Sequence, residues 1–173
     1  MQITDRKRVF NGHYKIDELT VRAPSGQEFT REQFIFGHAV AVLVFDTRRQ
    51  LYVFTQQFRY GPEQEVLEIA AGMIDPGEAP EATVRREIHE ELGYEVDTLT
   101  HIATVFSTPG ASTESIAIFY AEVSRQTGPG GGMAGENEYI KTVTMDWDAL
   151  ITEPFHDAKT MVAVQWKQLE KCR

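Results

Sequence analysis

Glu87, Glu90 and Glu91 fall three and four residues apart in the run Arg86-Glu-Ile-His-Glu-Glu-Leu92. On a helix that spacing sets the three carboxylates along one side. Convergent carboxylates form an oxygen cage suited to hard divalent cations such as Mg2+ or Mn2+. The flanking residues predict that helix: Pro80 suits a first turn that needs no amide hydrogen, and Gly93 accepts a left-handed cap. Val84, Ile88 and Leu92 recur every four residues as a narrow apolar stripe, with Glu91 at its border. Acids near a helix C-terminus oppose its dipole by about 0.3–1 kcal/mol each, and such a break with local preference is often functional. Glutamate is also a good helix former, so on these acids alone a solvated acidic face is the simpler account.

The wider spacing changes that account. Gly72, Glu78, Arg86, Glu87, Ile88, Glu90, Glu91, Gly93 and Tyr94 follow G-x5-E-x7-R-E-U-x-E-E-x-G-U, where U is bulky and apolar. This stretch, residues 72–94, resembles the Nudix box; Tyr94 departs from it in being aromatic where an aliphatic residue is usual. The resemblance implies a catalytic loop–helix–loop that binds Mg2+, with Mn2+ able to substitute, and hydrolyses nucleoside diphosphates linked to another group. Carried over by position, Glu87 and Glu91 are the expected principal metal ligands, Glu90 assists, and the Ala71 carbonyl is a further ligand. Glu78 and Arg86 are expected to pair and brace the loop against the helix.

Residues outside the box bear on substrate. Leu67-Glu-Ile-Ala-Ala-Gly72 resembles the approach to the box in ADP-ribose pyrophosphatases and related nucleoside-diphosphate-sugar hydrolases, which makes Glu68 a substrate-binding candidate. Pro109, fifteen residues past Tyr94, and Thr108-Pro-Gly-Ala-Ser-Thr-Glu114 resemble the downstream signature of the ADP-ribose group. Glu136-Asn-Glu-Tyr-Ile140 resembles its acidic loop, which makes Glu136 the expected general base, with Glu90 the alternative, and Glu138 a further metal ligand. Arg59 and Glu114 are expected phosphate and ribose contacts, Arg31 a phosphate or base contact, and Tyr14 a base-stacking residue. In such relatives the N-terminal strands reach into a partner subunit, so residues 1–36 are expected at a homodimer interface. For ADP-ribose the products would be AMP and ribose 5-phosphate. GDP-mannose is the alternative substrate, since Gly130-Gly-Gly132 resembles the insert of that neighbouring group. A non-catalytic nucleotide-sugar sensor is the alternative from another class.

The totals agree with a single ordinary domain over residues 1–173, 42% hydrophobic and 25% charged. A net charge of −9 with no concentrated basic patch argues against nucleic-acid binding. The lone Cys172 forms no internal disulfide, the start has no apolar signal core, and the apolar run 39–45 is too short to span a bilayer. A cytoplasmic, membrane-free protein is expected.

The elements that must position the site read as strands and helices without strict alternation. Phe10–Ala23 and Glu28–Phe36 predict an antiparallel hairpin around Ala23-Pro-Ser-Gly26. His38–Phe45, apolar on both faces, predicts a central strand, and Gln50–Arg59 its neighbour. Val66–Ala71 should run straight into the box. Strands follow at Val96–Phe106, Ser115–Val123 and Tyr139–Met145, with Ser107–Gly110 a loop. Gly128–Gly135 is too glycine-rich to hold fixed structure unaided. Helices are predicted at Trp147–Ile151 and Asp157–Lys171, the second packing through Ala158, Val162, Trp166 and Leu169. Together these give an α+β protein, an α/β/α sandwich around a mixed sheet.

Overall fold

A computed structural model describes residues 1–132 and 139–172. By internal packing the chain divides into two compact units, Met1–His38 with Phe106–Ser115, and Ala39–Val105 with Ile116–Arg173. In the smaller unit, strands β1 (Gln2–Asn11), β2 (Lys15–Arg22) and β3 (Glu28–Ile35) form an antiparallel sheet in that order. The expected hairpin is β2–β3, closed by a turn in which the Gly26 N–H donates to the Ala23 carbonyl at 2.9 Å. Strand β1 is an addition to the sequence reading. All ten of its residues are exposed, so no apolar alternation marks it. Its hold on β2 is partly ionic: Arg6, at 3.0 Å, and Arg8 both bind the buried Asp17 carboxylate. The Arg8 hydrogen bond outweighs burial and keeps the Asp17 carboxyl below its usual range. The 107–114 loop docks on β3, the Phe34 N–H donating to Ala111 O at 2.8 Å and the Thr113 N–H to Phe34 O at 3.0 Å.

The larger unit is built on a mixed sheet. Its central path runs β10 (Lys141–Met145), β5 (Leu51–Arg59), β4 (His38–Asp46), β9 (Ser115–Gln126), β8 (Tyr94–Phe106). Two short strands, β6 (Gln64–Glu68) and β7 (Ala70–Met73), pair with β5 and β4 respectively. The period of two along β4 sorts the core. Val40, Val42 and Val44 face the box helix through Val84, Ile88 and Leu92. Ala41 and Leu43 face the opposite layer, helices α2 (Trp147–Thr152) and α3 (Ala158–Lys171), through Leu150, Ala163 and Val164. The α/β/α sandwich is as expected. Val84, Ile88 and Leu92 are fully buried, which is worth about 1.5–3 kcal/mol for each such side chain. Among the described residues no helix is long and apolar enough to cross a membrane.

Two details depart from the sequence reading. The segment entering the box is two strands, because the chain leaves β5 and joins β4 at Ile69. The fully buried Ile69 donates its N–H to Thr160 Oγ1 at 2.9 Å, and that hydroxyl donates to Asp157 Oδ2 at 2.6 Å. Helix α3 therefore turns Thr160, Ala163 and Val164 inward, while Ala158 and Leu169 are exposed and Val162 and Trp166 are half-buried. Val162 and Trp166 pack against the core as the periodicity predicts, while the polar Thr160 takes a core position and Ala158 and Leu169 do not.

Thr160→Val keeps the side-chain shape but leaves the Ile69 N–H without its acceptor. Urea unfolding should show a loss of about 1–3 kcal/mol, the cost of orphaning a buried donor.

Candidate active site

The box helix begins as α1 (Pro80–Glu87) and ends in a π-helical turn, Ile88–Leu92, closed by Gly93 at φ 75°. Widened turns of this kind are frequent at functional sites because they re-aim the side chains they carry. Here Glu87 and Glu91 point inward, 8% and 3% exposed, while Glu90 is half-buried. The two buried acids meet the last strand before the helix. Glu91 Oε2 accepts the Ala71 N–H at 3.3 Å. The Glu87 carboxylate lies against Gly72 so closely that a Cβ there would sit 1.8 Å from Glu87 Oε1. Glycine at 72 is thus the condition for Glu87 to occupy its place.

Arg86 gathers the remaining charge. Its Nη1 lies 2.8 Å from Glu87 Oε1 and 2.9 Å from Glu90 Oε2, and its Nη2 donates to Glu78 Oε2 at 3.4 Å and to the Met73 carbonyl at 3.2 Å. Burial alone would lower the Arg86 pKa, but Glu78, Glu90 and Glu87 outweigh it and push it up. The expected Glu78–Arg86 brace is present, and it extends to two more carboxylates. The same Glu78 Oε2 also accepts from the Thr83 hydroxyl at 2.8 Å. That bond, then Arg86 and the Asp75 amide, keep the Glu78 carboxyl below its usual range.

The glycine-rich segment has a defined place over 128–132. It closes the end of the box helix, whose last carbonyls lack intrahelical donors. The N–H groups of Thr127 and Gly128 donate to Gly93 O at 2.7 and 3.0 Å, Gly131 to Glu91 O at 2.8 Å, and Gly132 to Glu90 O at 3.2 Å. Gln126 Nε2 reaches Leu92 O at 3.3 Å. The approach requires glycine: at Gly130, φ 66°, a Cβ would lie 2.5 Å from Glu91 O. These donors oppose the negative helix end where the acids crowd. Glu136 and Glu138, the expected base and ligand, lie outside the described residues.

The NUDIX domain family matches residues 36–167. The chain belongs to the Nudix family. It is 29% identical over 170 residues to a methanol dehydrogenase activator of Bacillus methanolicus (95% of this chain, 91% of that protein). It is 34% identical over 153 residues to an ADP-ribose pyrophosphatase of Haemophilus influenzae (81% and 70%). With a GDP-mannose pyrophosphatase of Cronobacter sakazakii it shares 31% over 151 residues (80% and 78%). A crystal structure of an ADP compounds hydrolase, 19% identical, superposes with a TM-score of 0.83 over 98% of this chain and 92% of that one, a likeness of fold.

The residues expected at the site fall in both units. Ala71, Glu78, Arg86, Glu87, Glu90, Glu91 and Arg59 all belong to the larger unit, whereas Tyr14, Arg31, Pro109 and Glu114 belong to the smaller. There Arg31 is exposed and lies 4.4 Å over the Phe29 ring, Tyr14 is half exposed beside Phe36, and Glu114 accepts from the Ser107 hydroxyl. Glu68, expected to bind substrate, is 1% exposed, with one oxygen on Arg59 Nε at 2.5 Å and the other on Lys159. Lys159, ninety-one residues from Glu68, left no local signal to find. Tyr94, the box's one departure, is buried with its hydroxyl donating to Asp46 Oδ2 at 2.9 Å and accepting from Arg49 at 3.3 Å. The aromatic ring fills the aliphatic position, and the turn after β4 satisfies its oxygen.

The donor set suits a hard cation: two adjacent buried carboxylates and a backbone strand, with a missing Cβ making room for one of them. Among the described residues no three acid, histidine or cysteine side chains already form a closed cage. Glu90 is turned onto Arg86.

Gly72→Ala should displace Glu87 and cut turnover by about two orders of magnitude, as misplacement of a catalytic group does, with the protein still folded. Glu78→Gln tests the brace by pH. A carboxyl whose pKa falls on folding contributes stability above its unfolded value, about 4.3, and loses it as pH drops through the folded value. Thermal melts should therefore show the variant less stable than wild type at pH 7, with the gap closing below the usual glutamate range.

Proposed function

We propose that the protein is a metal-dependent hydrolase of the diphosphate linkage in nucleoside diphosphate sugars, with ADP-ribose as its first substrate, cleaved to AMP and ribose 5-phosphate. The observation that carries the reading is the buried Glu87–Glu91 pair against Ala71 and Gly72, intact in a chain at 34% identity to an ADP-ribose pyrophosphatase. Glu87, Glu91 and the Ala71 carbonyl would hold Mg2+, or Mn2+ in its place. When bound, the metal supplies charge neutralisation of the diphosphate and acidifies a water.

The chain's own groups do the rest. Arg59, whose pKa burial lowers but Glu68 and Glu91 raise overall, stays a fixed cation for diphosphate oxygens. Glu136 takes the proton of the attacking water as general base, and Glu90 is the alternative within the box. Arg86 and Glu78 hold the acid-bearing turn in register. Glu114, Arg31, Tyr14 and Pro109 are assigned to ribose, phosphate and base recognition, and Glu138 to a further metal contact.

GDP-mannose is the second reading, favoured by the 31% relative named for that substrate and by the Gly130–Gly132 run. The exposed β1, with Ile3, Val9 and Phe10 open to solvent, supports a homodimer through the N-terminal strands. We assign the protein to the cytoplasm.

A panel of ADP-ribose, GDP-mannose, ADP-glucose and NADH, with Mg2+ and product identification in labelled water, tests the reading. ADP-ribose should give the highest kcat/KM; a clear preference for GDP-mannose replaces it, and tight ADP-ribose binding without any product makes the protein a sensor. Glu91→Gln should cut kcat by at least about a hundredfold while the melting curve is retained. Glu136→Gln should lower kcat with Mg2+ dependence unchanged, and an unaltered rate moves the base to Glu90.

A further inference from the structure

Arg59 and Glu68 sit on neighbouring strands but not opposite one another. The register pairs Glu68 with Thr55 and Arg59 with Gln64, so both side chains must reach along the strands to meet. Arg59 arrives through Nε alone, 2.5 Å from Glu68 Oε1, although a free carboxylate commonly takes arginine through two parallel bonds. The reason is Lys159. Its ammonium, on the first turn of α3, bonds the second oxygen of Glu68 and also lies 3.0 Å from Asp157 Oδ1. The carboxylate is thereby divided between two cations. Both Glu68 and Lys159 are well buried, with side chains 2% and 11% exposed, while Arg59 remains 40% exposed. Asp157 is itself fixed as the α3 cap, accepting from the Thr160 N–H at 2.9 Å. The Lys159 ammonium is therefore held by two carboxylates.

We propose that Lys159 and Glu68 are positioning residues for Arg59. By occupying Glu68 Oε2, Lys159 confines Arg59 to a single bond through Nε and keeps the two Nη groups turned out as a fork for the oxyanions of a diphosphate. Without Lys159, Glu68 would take Arg59 in the two-point mode and draw that fork inward. Helix α3 thus sets the orientation of a group at the end of β5. The inference rests on reading Arg59 as a diphosphate contact.

The test is a double-mutant cycle on nucleoside-diphosphate-sugar hydrolysis, using ADP-ribose and GDP-mannose, with a measurement that needs no turnover beside it. Lys159→Met should lower kcat/KM about ten- to a hundredfold, as loss of a positioned contact does, with the Mg2+ concentration dependence unchanged. Lys159→Arg, which keeps the charge, should recover most of that loss. In the Arg59→Ala background Lys159→Met should cost less than about twofold, since coupled residues are not additive. Independent losses in the cycle, or a Lys159→Met enzyme within about twofold of wild type, overturn the proposal. Should Lys159→Met fail to fold by circular dichroism, Glu68→Gln replaces it in the same cycle with the same expectation. The side-chain Nε–H resonance of Arg59, identified by its absence in Arg59→Lys, should be protected from solvent exchange in wild type and shift in Lys159→Met. If that resonance does not move, the proposal falls whatever the substrate is; if wild type hydrolyses neither nucleotide sugar yet the resonance moves, the positioning stands and the functional reading fails.

Discussion

One guanidinium makes the site possible. Arg86 stands among Glu78, Glu87 and Glu90 and also binds the Met73 carbonyl, so loop, helix and strand meet at a single cation. Remove it and three carboxylates face each other across a few ångströms in a partly dry setting, where like charges repel far more than in water. Its presence explains how a helix end can carry so many acids. Glu87 and Glu91, set against Gly72 and Ala71, are the two buried members of the cluster.

The rest of the larger unit serves that cluster from both faces of the sheet. On one side Val84, Ile88 and Leu92 key the helix into Val40, Val42 and Val44. On the other, α3 reaches through the sheet margin: Thr160 takes the Ile69 N–H where the chain changes strands, and Lys159 takes Glu68 one residue earlier. The change of partner from β5 to β4 is what brings Ala71 and Gly72 under the acids. Position along the chain and position in the site are linked by this crossing.

What could be read from the sequence follows physical range. The box, its helix and the Glu78–Arg86 pair were legible because their partners lie within two dozen residues and obey one periodicity. The central strand β4 was legible from its unbroken apolar run. Strand β1 was not, since all its residues face solvent and its attachment depends on Arg6 and Arg8 finding Asp17. On α3 the packing of Val162 and Trp166 was legible, but that of Thr160 was not, because a polar residue fills a core position for the sake of a distant amide. The pairing of Glu68 with Lys159 was not legible, because that cation comes from ninety-one residues away. The glycine run was read as unable to hold fixed structure by itself, which is true of its composition; over 128–132 the helix end supplies what it lacks.

That clasp also alters what the smallest portable version of this motif is. Residues 72–94 carry every signature position, yet the carbonyls of Glu90, Glu91, Leu92 and Gly93 are satisfied by donors from residues 126–132, on the far side of two long strands. A graft of the signature alone into another scaffold would arrive with a frayed, electronegative stub at the turn that carries the acids. The heritable module is a discontinuous pair of segments, and a lineage that rebuilds one must carry the other along with it.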